Sequence, residues 1–219
     1  MSQSDSFIDE VTEAVRRDRL FAWFRRYGWI ALLGVLILVG GAAVNEWRKA
    51  QARAAAEAVG DTMLAALQQA DPAKAAEDLA KLPASDSAGQ RAVTDLLTAA
   101  ADVKAGKPAA AIATLDTLAA DAEVPQAFRD IAALKAVMLG AKTLGPDERI
   151  ARLEKLAVPG APFRLLAEEQ IALAQIEKGE KDKALETLQK IIADADVTQD
   201  LRSRAAQLIV ALGGTPKAA

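Results

Sequence analysis

Residues 106–119 (GKPAAAIATLDTLA) and residues 179–192 (GEKDKALETLQKII) share one spacing, and this spacing decides the fold. In both stretches a glycine is followed by an alanine five residues later, and then by large apolar residues four and seven residues beyond that alanine. A glycine commonly ends a helix, and a small residue early in the next helix lets two helices approach closely. The later apolar residues then fill the space between neighbouring pairs. Each stretch therefore predicts a turn between two packed helices.

The apolar positions of these stretches recur along the chain at a nearly constant interval. Two leucine-type residues lie three apart at four places, and successive places are 36, 38 and 35 residues apart. The four pairs are Leu79/Leu82, Leu115/Leu118, Leu153/Leu156 and Leu188/Ile191. Tetratricopeptide repeats have a period of about 34 residues, so this part of the chain resembles a degenerate tetratricopeptide-like α-solenoid. An ordinary helical bundle is the alternative architecture.

Two of the four copies depart from the pattern. Ala70 stands where the first copy should have glycine, and Arg149 takes the small-residue position of the third copy, with Gly145 displaced by one residue. Turn residues, including those at 83–89, still delimit the helices. The predicted helices are 46–70, 72–82, 88–105, 108–120, 125–143, 146–157, 161–178, 181–194 and 198–212, the last of which caps the array. Together they make a repeat domain over 46–212, followed by a flexible tail over 213–219.

Composition supports an all-α chain and argues against catalysis. Alanine and leucine, which favour helices, supply most of the apolar residues of the 219-residue chain. The chain has neither cysteine nor histidine, so Ser-His-Asp and Cys-His catalysis are excluded. Motifs for phosphate or metal binding are missing as well. We expect no enzyme activity, no cofactor, no metal and no small-molecule substrate. The net charge of −3, without a basic stripe, also argues against nucleic acid.

An uncharged run over residues 28–44 (GWIALLGVLILVGGAAV) predicts a transmembrane helix at 28–45. As a helix, its 17 residues span about 26 Å, close to the hydrocarbon thickness of a bilayer. Trp29 and Trp47 stand where an aromatic belt is expected, and Arg25 and Arg26 precede the run as further membrane-interface anchors. A signal peptide cleaved after Ala43 is the main alternative, and a buried core helix is a weaker one.

Charges beside the run predict its orientation. Five arginines lie on the N-terminal side, against three Lys and Arg residues on the C-terminal side. The positive-inside rule then places residues 1–27 in the cytoplasm and the repeat domain on the other side of the membrane. Residues 6–24 have an amphipathic helical pattern. This segment is interpreted as an interfacial helix among lipid headgroups, or alternatively as a docking or degradation signal.

The order of these parts resembles a known bacterial family. DEVTEAVRRDRL (9–20), WFRRYGW (23–29), the apolar run and NEWRKAQ (45–51) together resemble the ancillary SecYEG translocon subunits, also described as YfgM-like. The resemblance implies an inner-membrane protein with a periplasmic tetratricopeptide-like domain. It further implies partners among Sec translocon subunits and periplasmic chaperones, and it brings no catalytic residues.

A non-enzymatic, membrane-anchored protein-interaction module is therefore the predicted function. Such a scaffold or chaperone-like subunit would hold partners or emerging polypeptides near the Sec translocon. The alternative is an assembly factor or accessory subunit of another envelope complex, respiratory or division. Five apolar residues on the first helices of the pairs are candidates either for a protein-binding groove or for the core. They are Leu96, Leu134, Met138, Leu173 and Ile176.

Overall fold

The computed structural model describes residues 3–82 and 87–217, and for residues 3–22, Phe24 and Ala31 it describes the backbone alone. All regular structure in these ranges is helical, which confirms the all-α fold class. The α-helices are α1 (Gln3–Leu67), α2 (Pro72–Ala80), α3 (Ala88–Lys104), α4 (Pro108–Ala120), α5 (Gln126–Leu139), α6 (Pro146–Glu154), α7 (Arg164–Glu177), α8 (Lys181–Ala193) and α9 (Gln199–Ala211). A short 3-10 helix, Gly140–Lys142, follows α5.

Most helix bounds agree with the predicted ones to within three residues, and three differences have local causes. The apolar run and the helix predicted at 46–70 form one continuous helix, α1, because no glycine or proline turn separates them. The helix predicted to reach residue 143 ends as α-helix at Leu139 and tightens into the 3-10 turn, where Thr143 N–H bonds to Gly140 O at 2.9 Å. α7 begins at Arg164, after a turn in which Arg164 N–H bonds to Ala161 O. Residues 83–86 of the turn predicted at 83–89 lie outside the described residues.

The chain divides into two units, Met1–Val59 and Gly60–Ala219, so the border falls within α1. The first unit contains the apolar run. Among the described helices, α1 alone is long and apolar enough to cross a membrane, with a mean hydropathy of 2.1 over its most apolar 18 residues. None of that window is buried. The run is therefore not the buried core helix considered as an alternative.

The second unit contains the end of α1 and the helices α2 to α9. Its core forms from the positions that recur in the sequence: Leu79, Leu115, Leu153 and Leu188 are all fully or almost fully buried. Ala111 and Ala184, the small residues of the two regular copies, are completely buried between helices. Burial of these residues explains why the spacing predicts helix pairs.

Gly106 and Gly179 end α3 and α7 in the way that the spacing predicts. Their φ angles are +72° and +78°, in the left-handed region that favours glycine. The residue after each glycine then bonds back across the turn, Lys107 N–H to Asp102 O at 2.8 Å and Glu180 N–H to Gln175 O at 2.9 Å. This Schellman geometry satisfies helix-terminal carbonyls and reverses the chain into the next helix.

Arg149 shows how the third copy accommodates a large residue at the small position. Its side chain is 8% exposed, and its guanidinium pairs with Glu177 near the end of α7. The long side chain thus crosses from α6 to the next helix, and its charge is partnered where an alanine would have required no partner.

Residues 213–217 are the described part of the tail predicted over 213–219, and two hydrogen bonds join them to α8. The Gln189 side chain on α8 donates to Thr215 O at 2.8 Å and accepts from Lys217 N–H at 3.2 Å. The two bonds hold this segment against α8, because one amide group satisfies both a donor and an acceptor of the extended backbone.

Candidate protein-binding surface

Exposed apolar side chains in the second unit are distributed unevenly between the two helices of each pair. The first helices are the end of α1, α3, α5, α7 and the capping helix α9. Among the described residues of this unit, they carry eight of the nine large apolar residues that are exposed: Leu64, Leu67, Val93, Val103, Met138, Leu166, Leu173 and Val210. The ninth, Val158, lies in the loop between α6 and α7. The second helices α2, α4, α6 and α8 contribute none. We call these eight residues the first-helix face.

The repeat register places most of the first-helix face on one side of each helix. Leu64, Met138 and Leu173 each precede the small-residue position of their own copy by eleven residues. Leu67 and Val103 precede it by eight, and Val93 and Leu166 precede it by eighteen. These three sets, at eighteen, eleven and eight residues before the small-residue position, are thus seven and three residues apart, which is the spacing of one helical face. The face is a periodic feature of the array.

Two grooves on the first helices meet at Met138. A groove of about 320 Å³ between α3 and α5 is lined by Leu96, Ala99, Ala100, Val103, Lys104, Leu115, Lys135, Met138 and Leu139. A second groove of about 550 Å³ on α5, α7 and α9 is lined by Met138, Glu169, Gln170, Leu173, Arg204, Gln207, Leu208 and Ala211. Met138 is 49% exposed and lines both. The grooves therefore adjoin each other along the first helices.

The five candidate residues from the sequence separate into groove and core. Leu96 lines the α3–α5 groove, Leu173 lines the second groove, and Met138 lines both. Ile176 is half-buried on α7 and lines neither. Leu134 takes the second of the two roles considered for it, a core residue: it is 4% exposed and packs in the cluster that includes Leu153 and Leu156. The side of α5 that carries Leu134 faces the neighbouring helices, so this leucine is not available to a partner.

The two grooves differ in charge. In the second groove, Arg204 on α9 donates from Nε and Nη2 to the Glu169 carboxylate at 2.7 and 2.9 Å. The Glu169 side chain is only 8% exposed, and the hydrogen bond with it raises the pKa of Arg204. In the α3–α5 groove, Lys104 and Lys135 are exposed and form no ion pair with any residue in the described ranges. Sequence reasoning missed these lysines, because nothing local distinguishes a paired lysine from an unpaired one.

The residues proposed as membrane-interface anchors lie along α1. Arg25, Arg26, Trp29 and Trp47 are all exposed, and each tryptophan is 63% exposed. Because α1 is one unbroken helix, the 18 residues from Trp29 to Trp47 place the two indoles about 27 Å apart along its axis. This separation is close to the roughly 30 Å hydrocarbon core of a bilayer.

The described part of the chain has no group of three or more His, Cys, Asp or Glu residues that could hold a metal ion. Burial raises the pKa of Asp95 on α3, but Asp95 lines neither groove and lies near Arg91 and Asp121. The chemistry of the first helices is therefore that of an apolar contact surface with a few charges.

Comparison with known proteins gives one family. The model of a family described as tetratricopeptide repeat-like domain matches residues 22–169, which is more than half of the chain. The match begins before the apolar run and continues through α6 into α7. The searches of curated proteins and of solved structures returned no significant match.

Proposed function

The chain belongs to the tetratricopeptide repeat-like domain family, and on this premise we propose that it is a membrane-anchored protein-interaction module that binds partner polypeptides on its first-helix face. The observation that carries the proposal is the concentration of exposed apolar side chains on the first helices. Contiguous apolar surface on a folded unit marks an interaction site, because exposing it to water is unfavourable. Two adjoining grooves along those helices offer a partner both shape and apolar contact.

The proposed anchor is the apolar run of α1, retained in the mature protein. Its side chains are exposed on all sides of the helix, which suits a lipid environment. The family match begins at residue 22, ahead of the run, and this supports retention over cleavage after Ala43. The five-to-three excess of positive charge supports a cytoplasmic N-terminus. We propose the bacterial inner membrane as the location, with the repeat domain in the periplasm.

The proposed partners follow from the resemblance of the N-terminal segment. Sec translocon subunits, periplasmic chaperones or emerging polypeptides would bind the first-helix face, making this chain an ancillary, chaperone-like scaffold. An accessory role in a respiratory or division complex is the alternative. It would use the same surface with different partners.

Site-specific photo-crosslinking in intact membranes tests the proposal. A photoreactive amino acid is placed at Met138 or Leu173 on the first helices, and at Thr117 or Glu186 on second helices as matched exposed controls. We expect protein adducts at the first two positions and far fewer at the controls. Equal adduct yields at all four positions would contradict a binding role for the first-helix face.

The identity of the adducts decides between the partner classes. Recovery of Sec subunits or periplasmic chaperones supports the translocon role, and recovery of respiratory or division proteins supports the alternative. Reporter fusions at residue 60 and at the C-terminus test the orientation. Activity of a periplasmic reporter at both positions is the expected result, and cytoplasmic activity at either would overturn the proposed topology.

A further inference from the structure

The α3–α5 groove combines an apolar surface with two positively charged side chains and no negatively charged one. Leu96, Val103 and Met138 supply apolar walls, and the buried Leu115 of α4 closes the floor. The charged residues of the lining are Lys104 at the end of α3 and Lys135 on α5, and the lining contains no carboxylate. An apolar occupant without acidic groups would leave both ammonium groups with water as their partner.

The acidic residues of α3 and α5 are not available to neutralise these lysines. Asp130 on α5 is buried and accepts a hydrogen bond from Gln126 at 2.5 Å. On α3, Asp102 is buried as well, and the half-buried Asp95 lines neither groove. The neighbouring groove shows the opposite arrangement, because there the buried Glu169 is already paired with Arg204. The first-helix face is thus positively charged at α3–α5, whereas at α7–α9 its charges are paired with each other.

We propose that the α3–α5 groove binds a partner segment that carries acidic side chains beside its apolar ones. The uncharged continuation of this segment passes Met138 into the second groove. The inference rests on the proposed function and adds the chemistry of the partner and the direction in which the partner lies along the array. The unpaired Lys104 and Lys135 select carboxylates, while the apolar walls supply the sequence-tolerant part of the contact.

The size of the charge effect follows from exposure. Both lysines are exposed, so each contributes as an exposed ion pair does, about a two- to fivefold gain in affinity for an acidic segment. Screening reduces the gain at high salt, since the Debye length falls from about 10 Å at 0.1 M to about 3 Å at 1 M. The apolar part of the binding does not share this salt dependence.

Three labelled peptides provide the test, with the full chain in nanodiscs of zwitterionic phosphatidylcholine. Each peptide has about 15 residues with leucines at helical spacing, and the intervening positions are glutamate, glutamine or lysine. We expect the acidic peptide to bind most tightly and the basic one most weakly. In the double variant Lys104→Gln/Lys135→Gln, the acidic peptide should lose about 4- to 25-fold in affinity while the glutamine peptide binds as before.

The matched control removes two lysines elsewhere. Lys74→Gln/Lys155→Gln changes the net charge equally but alters exposed lysines of α2 and of the end of α6, and it should keep the acidic preference. Loss of that preference in the control, or equal binding of all three peptides to the native chain, overturns the inference. Self-association of the chain that the groove variant abolishes would also overturn it, because a second copy would then be the occupant.

The outcomes separate this inference from the proposed function. If the acidic and glutamine peptides bind equally and crosslinks at Met138 persist, the acidic preference fails and the interaction module stands. If no peptide binds and the crosslinks at Met138 and Leu173 match the controls, both fail.

Discussion

Replacement of glycine by alanine should have opposite effects on stability at two sites, Gly179 after the end of α7 and Gly60 within α1. Gly179 has φ +78°, and an added Cβ there would meet nothing within 4 Å. A cost of Gly179→Ala therefore comes from the backbone alone, about 1–2 kcal/mol for an L-residue in the left-handed region. Reduced freedom of the unfolded chain offsets about 0.4–1 kcal/mol of this. We expect a net loss of about 1 kcal/mol in the free energy of unfolding.

Gly60 in α1 is the matched control. Its Cβ site is equally open, but its backbone is helical, so Gly60→Ala should stabilise the second unit by about 0.5–1 kcal/mol. The two variants should therefore differ by roughly 1.5–2 kcal/mol, although each adds the same methyl group in open space. Neither substitution creates a cavity or a clash, and this makes the sign informative.

Urea unfolding followed by helical circular dichroism measures the difference. All three tryptophans and the single tyrosine precede residue 60, so intrinsic fluorescence does not report on the second unit. We expect the midpoint to move down for Gly179→Ala and up for Gly60→Ala, with unchanged slopes. A shift in the same direction for both variants would refute the assignment of Gly179 to a left-handed turn that the repeat requires.

Two further predictions concern the burial of Leu115 compared with Met138 and the pH dependence of one ion pair. Leu115→Ala should lower the free energy of unfolding by about 2–5 kcal/mol, because Leu115 is 1% exposed. Met138→Ala should change the free energy of unfolding by about 0.5 kcal/mol or less. Urea midpoints compare the two variants, and equal losses of stability would contradict the surface position of Met138. Arg164 donates to the Asp194 carboxylate at 2.8 Å and lowers the pKa of that carboxyl. The pair therefore stabilises the fold above the unfolded pKa of about 3.8, and this stabilisation is lost as the pH falls through the lowered pKa of the folded state. Arg164→Gln should therefore lower the urea midpoint near pH 6 and have little effect near pH 2, and a pH-independent difference would contradict this linkage.

The helix pairs were predictable from the sequence because their determinants are local. The Gly106 and Gly179 turns, the small Ala111 and Ala184, and the spacing of leucines all lie within one helix or turn. Together with the turn residues of the less regular copies, these features predict the order and nearly all bounds of α2 to α9. The long apolar helix α1 was predictable for the same reason, since an unbroken uncharged run needs no tertiary partner to be recognised.

The register of the proposed binding face was not predictable, because it depends on the copy that departs from the pattern. With Arg149 read as the small-residue position, Met138 aligns with Leu64 and Leu173. An arginine gives no sequence signal for that position, and its fit depends on Glu177, 28 residues away. For the same reason the sequence left Leu134 open between groove and core.

A binding surface whose single contacts are weak gains most in effective affinity when it is attached to the membrane that holds its partners. The first-helix face has shallow grooves, and its charge contacts at Lys104 and Lys135 are exposed, so each contact contributes about 1 kcal/mol or less. An anchor converts encounters with membrane partners into events at an effective concentration in the millimolar range, which compensates for modest affinity. Under the proposed function, the apolar run of α1 would set where the first-helix face acts, and Lys104, Lys135 and the apolar residues around Met138 would set what it binds.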